Sequence, residues 1–202
     1  MPISKNTPWG EPGVLPDDGV VVRSDAEARA VIEQARAEGR PYPSLGLLGG
    51  DLCRTLGGAG DEGRLRSPEA VRFPVDLGEA LLDGRPFVFV AHLVARTRGW
   101  GHVAAAMNAQ FVGRWVIGRR AHPNDGLLDV YQADLSLADR LKVRARLGHG
   151  EYLPHPGINE RRTAAVEIEL DRPLPVYLDG GRVGEARTLA LRLDPDALTV
   201  VV

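Results

Sequence analysis

From residue 71 onward the chain offers strand after strand and a single helix, and this constrains the fold more than any other feature. "VRFPVDLGEALL" runs into an Asp-Gly pair at 83 and 84, then "RPFVFVAHLVART". Further on, "AAVEIEL" alternates cleanly, "LPVYLDGGRVG" carries a hairpin signature around Asp179-Gly180, and "TLALRLDPDALTVVV" closes the chain. Asp-Gly pairs accept the positive φ of tight hairpin turns, and alternation buries one face of each strand. "AAAMNAQFVGRWVIG" reads as another strand pair, and "RAHPNDGLLDV" leads into the strand "LLDVYQADL". The one helix is expected at about 137 to 147, with Ser136 as its cap and Gly148 as its stop.

The first 70 residues have a different character. Residues 1 to 19 hold four prolines and three glycines, too many breakers for a regular element, and Trp9 is the residue that would pin such a lead-in. "GVVVRS" reads as a short buried strand. Ser24 and Glu27 then have capping-box spacing, Ala28, Val31, Ile32 and Ala35 recur at helical intervals, and Gly39 sits where a C-cap belongs, predicting a helix over 25 to 38. "SLGLLGGDL" is a strand that breaks at Gly49-Gly50, "DLCRTLGG" gives a turn or two of helix, and residues 59 to 69 form an exposed loop. The expected fold is therefore α+β: an irregular lead-in and small α/β unit over 1 to 70, then a mainly antiparallel β-sandwich over 71 to 202. A chain of 202 residues can bury a core without staples.

A formal charge of −2 provides no overall field for nucleic acid, which is excluded as a partner on this ground, although local arginine patches remain. Cys53, the single cysteine, cannot form an intramolecular disulfide, and its leucine neighbours make it a small buried apolar residue rather than a nucleophile. The opening "MPISKNTPWGEPG" has no apolar core of signal-peptide length and no segment is long enough to span a bilayer, so a cytoplasmic protein is expected.

Several constellations could carry chemistry. The pair Gly49-Gly50 before Asp51, at a strand-to-helix junction, would free backbone amides for a phosphate; a tight turn needing positive φ is the alternative, and the P-loop ending is missing. The five histidines lack zinc spacing, and His149 and His155, which flank "GEYLP", are candidates for facing a ligand or for plain loop hydrogen bonding. Asp125 with nearby carbonyls could hold a hard cation such as Mg²⁺; otherwise Asn124-Asp125-Gly126 is a turn and Asp129 a solvent-facing strand residue. Neither a G-x-S-x-G elbow nor H-E-x-x-H occurs.

Taken in order, these segments resemble bacterial diacylglycerol and lipid kinases. "RAHPNDGLLDV" matches an "A-x-P-x-DG-x-LDV" run through Ala121, Pro123, Asp125, Gly126, Leu128, Asp129 and Val130. "HGEYLPHPGI" resembles the family's "HPG" loop, "LPVYLDGG" its "DGE" hairpin, and "LRLDPDALTVVV" its closing strand. Upstream, "LGLLGGDLCRTLGG" is similar to a stretch reading roughly "LG-x-LP-x-GTGNDLARTLG", matched at Asp51, Leu52, Arg54, Thr55, Leu56 and Gly57. The resemblance covers about residues 40 to 202, and the order of several short motifs carries it.

It implies a fold like that of the lipid-kinase and NAD-kinase group, with ATP phosphorylating a lipid hydroxyl in the presence of magnesium. Asp51 and Asp179 would be the catalytic remnants, Gly49, Gly50 and Asp51 the nucleotide contacts, Asn108, His149 and His155 the substrate contacts, and Asp125 with the Leu127 carbonyl a structural cation site. The departures are as informative. The family's "GGDGT" loop has no full counterpart, and the general-base glutamate of "DGE" falls on Gly181. General-base help is worth about 10²- to 10⁴-fold, and losing it together with the phosphate loop leaves no catalysis unless Glu185 or Asp51 compensates. The leading expectation is thus a shortened, non-catalytic relative that binds a lipid or nucleotide, compatible with a homo-oligomer and with peripheral membrane contact. The alternatives are a working ATP-dependent lipid kinase and a structural partner that docks through the "TRGWGH" loop at 97 to 102.

Overall fold

A computed structural model describes residues 9–202. In chain order it contains β1 (Glu11–Pro12), β2 (Val20–Val22), α1 (Asp25–Ala37), β3 (Leu45–Leu47), α2 (Asp51–Thr55), β4 (Val71–Leu82), β5 (Arg85–Phe89), β6 (His92–Arg96) and β7 (His102–Met107). There follow β8 (Phe111–Val112), β9 (Trp115–Val116), β10 (Leu128–Asp134), α3 (Leu137–Arg146), β11 (Ile158–Thr163), β12 (Ala165–Leu178) and β13 (Gly181–Val201), with 3-10 turns at Arg64–Arg66 and Leu147–His149.

One sheet runs β1-β4-β13-β12-β6-β7-β10-β11, with β5 beside β4, and β8-β9 form a separate small hairpin. Pairing is antiparallel except where β3 joins β13 and β2 joins β3. Its long strands are not straight: register breaks fall between Glu169 and Leu174 in β12 and between Asp194 and Leu198 in β13. Such breaks bend a strand and sharpen its twist, so the sheet can fold over itself. The main core records the result, because Ala80, Leu82 and Phe89 of β4 and β5 pack in one cluster with Ala104, Ala106, Leu128 and Val130 of β7 and β10, strands far away along the sheet. This is the antiparallel β-sandwich that the strand pattern predicts.

A second core joins the N-terminal unit to the sandwich. Ala28 and Ile32 of α1, Leu45 and Leu47 of β3, and Leu52 and Cys53 of α2 pack with Val75, Val88, Leu198 and Val200. The helix begins as expected, with the Glu27 amide donating to Ser24 Oγ at 3.2 Å, although the Glu27 carboxylate accepts from the Arg23 amide rather than closing back on Ser24. Both Asp-Gly pairs take the positive φ that their hairpins require: 48° and 78° at Asp83-Gly84, 52° and 81° at Asp179-Gly180.

Four local expectations are corrected. The lead-in is not wholly irregular, since β1 pairs with β4. The loop over 59 to 69 contains the turn Arg64–Arg66. "AAAMNAQFVGRWVIG" is not one strand pair: β7 ends at Met107 and the β8-β9 hairpin follows separately. Helix α3 does not stop at Gly148; the chain tightens into a 3-10 turn and ends on Gly150, whose φ of 66° is the left-handed cap that glycine tolerates. Trp9 does pin the lead-in, donating to the Pro74 carbonyl at 3.2 Å and lying against Phe73 and His122.

Candidate functional site

The residues expected to remain from a catalytic centre meet in one corner, where the N-termini of α1 and α2 face the bend between β5 and β6. Asp179, at the hairpin between β12 and β13, sinks its carboxylate into that bend and accepts the amides of Val90 (3.1 Å), Ala91 (2.9 Å) and His92 (3.2 Å). His92 links the two aspartates, because its Nε2 lies 3.0 Å from Asp51 Oδ2 while its backbone is held by Asp179. The Asp51 carboxylate also accepts the Gly113 amide of the small hairpin.

Asp25 occupies the start of α2. Its two oxygens accept the amides of Asp51 and Leu52, the groups that a phosphate at Gly49-Gly50 would use. The backbone there comes so close that a Cβ on Gly50 would lie 2.4 Å from Asp25 Oδ1, and Gly50 has a φ of 98°, so glycine serves the tight turn. A helix N-terminus favours an anion, and here the chain's own carboxylate is that anion. Gly181, where the sequence resemblance implies a general-base glutamate, faces Arg29: a Cβ would meet the guanidinium at 3.2 Å. Arg29 Nε in turn lies 3.8 Å from Asp179 and its NH1 3.6 Å from Glu33.

Burial raises the Asp179 pKa to about 6 against the pull of His92 and the backbone amides, and raises Asp25 for the same reason. Burial alone would lower His92, but its hydrogen bond to Asp51 and the charges of Asp179, Asp51 and Asp25 reverse this and raise it. Asn108 is fully buried beside the same bend; its amide nitrogen donates to the carbonyls of Asp76 and Val90 at 2.8 and 2.9 Å, tying β4 to the bend after β5.

The turn over 120 to 130 lies elsewhere. Asp125 accepts the Leu127 amide at 3.0 Å and is ion-paired with Arg162, whose Nε also reaches Asp129 at 2.7 Å. Asp129 is not solvent-facing as expected: it is buried on β10 with this guanidinium against it. Asp76 completes the turn from below, accepting the amides of Gly126 (2.8 Å) and Asp196 (2.9 Å), with burial raising its pKa to about 6. Among the described residues, no group of three or more His, Cys, Asp or Glu is arranged to hold a metal.

His149 and His155 are brought neither to the corner nor to this turn. His149 is exposed at the end of the 3-10 turn after α3, and His155 Nδ1 accepts the Gly157 amide at 3.0 Å. Close to them is a feature that no sequence pattern announced: an apolar cavity of about 200 Å³ between α3 and one sheet face. Val94, Val103, Ala105 and Tyr131 form its floor, Trp100 and Trp115 one wall, and Val143 of α3 and Leu147 of the 3-10 turn after it the roof. The two tryptophans meet edge to face at 5.2 Å. "TRGWGH" is therefore part of this wall, with the Gly99 carbonyl accepting from Arg140 of α3 at 2.7 Å.

The sequence motifs found Asp51 and Asp179 but missed Asp25, Arg29 and His92. Asp25 reads as an ordinary first-turn acid and His92 as one histidine among five; only the meeting of elements distant in sequence gives them a role.

Residues 60–202 match the family described as the YegS C-terminal NAD kinase beta sandwich-like domain. The chain belongs to this family. Three solved structures from Bacillus anthracis str. Sterne share the fold of this YegS-type chain, one described as a diacylglycerol kinase and two as candidates for that activity. Their TM-scores are 0.68, 0.64 and 0.62 at 16, 15 and 16% identity, covering 91% of this chain and 77, 77 and 75% of theirs. No protein with a curated description matches the sequence. The YegS-type sandwich thus has a diacylglycerol kinase-like fold, and no helix among the described residues is long and apolar enough to cross a membrane.

Proposed function

We propose that the chain is a non-catalytic lipid-binding member of its family, which takes an acyl chain into the cavity under α3. The cavity carries this reading. Its lining is almost wholly aliphatic and aromatic, and the polar groups of Arg140, Arg144, Tyr131 and Tyr152 are few, as expected of a site for an amphipathic small molecule. On this reading residues 1–70 are the remnant of a nucleotide-binding domain and residues 71–202 the working unit.

The corner supports the non-catalytic half of the reading. Asp25 holds the amides that a nucleotide phosphate would need, and its charge repels a second anion there. Gly181 offers no side chain to take a proton, and Asp179 spends its carboxylate on three backbone amides. The turn at Asp125 likewise fits the guanidinium of Arg162 better than Mg²⁺, because a divalent ion would have to displace an ion pair. ATP and Mg²⁺, which serve the kinase group generally, have no step in this reading.

Titration of the protein with a short-chain diacylglycerol, read by tryptophan fluorescence, tests it. Trp100 and Trp115 line the cavity, so a saturable change is expected; no change for any diacylglycerol sinks the proposal. A second reading, a working lipid kinase, is favoured by one observation: Asp51 and Asp179 converge on His92. Phosphate transfer from ATP to diacylglycerol that disappears in Asp51→Ala would establish it over the first.

A further inference from the structure

The roof of the cavity has an outer face that the fold does not cover. Leu137 and Leu141, one helical turn apart on α3, are 66% and 64% exposed, whereas Val143 and Leu147 of the same segment are buried. Two large apolar side chains side by side on a short helix lower no free energy where they stand, and water around them is replaceable.

The charge around them is one-sided. Although the whole chain carries −2, residues 137 to 150 hold Arg140, Lys142, Arg144 and Arg146 against one acid, Asp139, which is already engaged by Ser136 and Lys142. Arg98 and Arg114 are exposed on the two loops that carry the cavity tryptophans. The guanidiniums of Arg114 and Arg144 flank Trp115, at 5.9 and 5.5 Å from its ring, so the basic groups sit at the level of an amphipathic aromatic. Leucines at the tip, tryptophan and arginine at the rim and lysine beside them form the profile of a helix that lies in a bilayer interface.

We propose that α3 and the two loops beside it dock the protein on an anionic lipid bilayer, with Leu137 and Leu141 entering the acyl region and Lys142, Arg144 and Arg146 meeting headgroup phosphates. Leu137 and Leu141 also border the cavity, so docking would open it directly to the membrane. That last consequence rests on the lipid-binding reading; the docking itself does not. Positive side chains near an anionic surface contribute about fivefold each to partitioning, and the attraction fades within a Debye length as salt rises.

Cosedimentation with vesicles of phosphatidylcholine and phosphatidylglycerol, against vesicles of phosphatidylcholine alone, tests the proposal on the full chain. Binding is expected only with the anionic lipid and should weaken as salt is raised. Leu137→Ser combined with Leu141→Ser should reduce it tenfold or more, and Lys142→Gln with Arg146→Gln by an order of magnitude; a circular dichroism melt shows whether each variant is folded. Equal binding to both vesicle types, or folded variants that bind as the unaltered chain does, overturns the proposal. So does a chain that ignores vesicles and is a dimer by size exclusion which the leucine pair of substitutions dissolves, because a second copy then covers this face. Ala105→Phe, which fills the cavity, separates the two readings: it should abolish the diacylglycerol response and leave vesicle binding intact.

Discussion

The corner at Asp179 and the cavity under α3 are the two places where this fold departs from an ordinary sandwich, and they do so in opposite ways. At the corner, carboxylates are turned onto the chain's own groups, with three amides on Asp179, two on Asp25, and His92 and Gly113 on Asp51, while Arg29 Nε, His92 Nδ1 and Asn108 Oδ1 are buried with no hydrogen-bond partner among the described residues. Under α3, apolar side chains stop short of one another and leave about 200 Å³. The corner is closed by hydrogen bonds within the chain, whereas the space under α3 is lined almost wholly by apolar side chains. Carboxylates already holding the chain's own amides are not free for a ligand, while an underpacked apolar cavity is open to one.

Breaking the corner should have the largest effect. Asp179→Ala leaves three buried amides without that acceptor and Arg29 with only Glu33, and a loss of about 3–5 kcal/mol in unfolding free energy is expected by urea denaturation. A loss below about 1 kcal/mol would show that the bend between β5 and β6 holds without it.

Filling the cavity should instead cost little. A phenylalanine forced into a close-packed core typically costs about 1–3 kcal/mol, but Ala105→Phe enters existing space and should stay within about 1 kcal/mol while eliminating the fluorescence response to lipid. A larger penalty, or a surviving response, would remove the contrast between the two regions.

Gly181→Glu asks whether the corner can be returned to chemistry. The added side chain would meet the flexible end of Arg29 and pair with it, so stability should change by less than about 1 kcal/mol, as for other paired surface charges. No phosphate transfer from ATP is expected, since Asp25 still holds the amides of α2; measurable transfer would show that a single glycine had silenced the site.

The smallest effect is electrostatic. By NMR the His92 ring should titrate above its ordinary value, and Asp51→Asn should move it down by removing the hydrogen bond that raises it. Because the folded pKa is raised, the stabilisation is complete below the unfolded value of 6.5 and is lost as pH rises through the folded value, so the variant should lose less stability than the unaltered chain over that window. Identical pH profiles would mean that Asp51 does not govern His92.

Much of the fold was legible because its signals are local. Ser24 and Ser136 cap helices by their own side chains, and Asp83-Gly84 and Asp179-Gly180 set hairpins within four residues. The ordered motifs added the family. The corner was legible only at Asp51 and Asp179, which carry motif residues around them. Asp25 acts 26 residues away along the chain, on amides that its own segment does not contain, and Arg162 finds Asp125 and Asp129 only because β10 and β11 are paired. The cavity had no sequence signal at all, being a mismatch of surfaces contributed from Val94 to Ile158, and volume left empty is written in no residue.

Strand β13 sets when the sheet can close. Its last pairs, Leu198 to Val201, are made with the start of β4, and Val200-Val201 are also the only strand partners beyond β2 that β3 has among the described residues. During synthesis the α/β unit emerges first but lacks an edge to join until the closing residues follow, more than 150 positions later. Contacts of such separation slow folding and leave apolar edges open in the interval. The N-terminal unit and the sandwich should therefore complete their joint sheet only once the end of β13 has paired with β3 and β4.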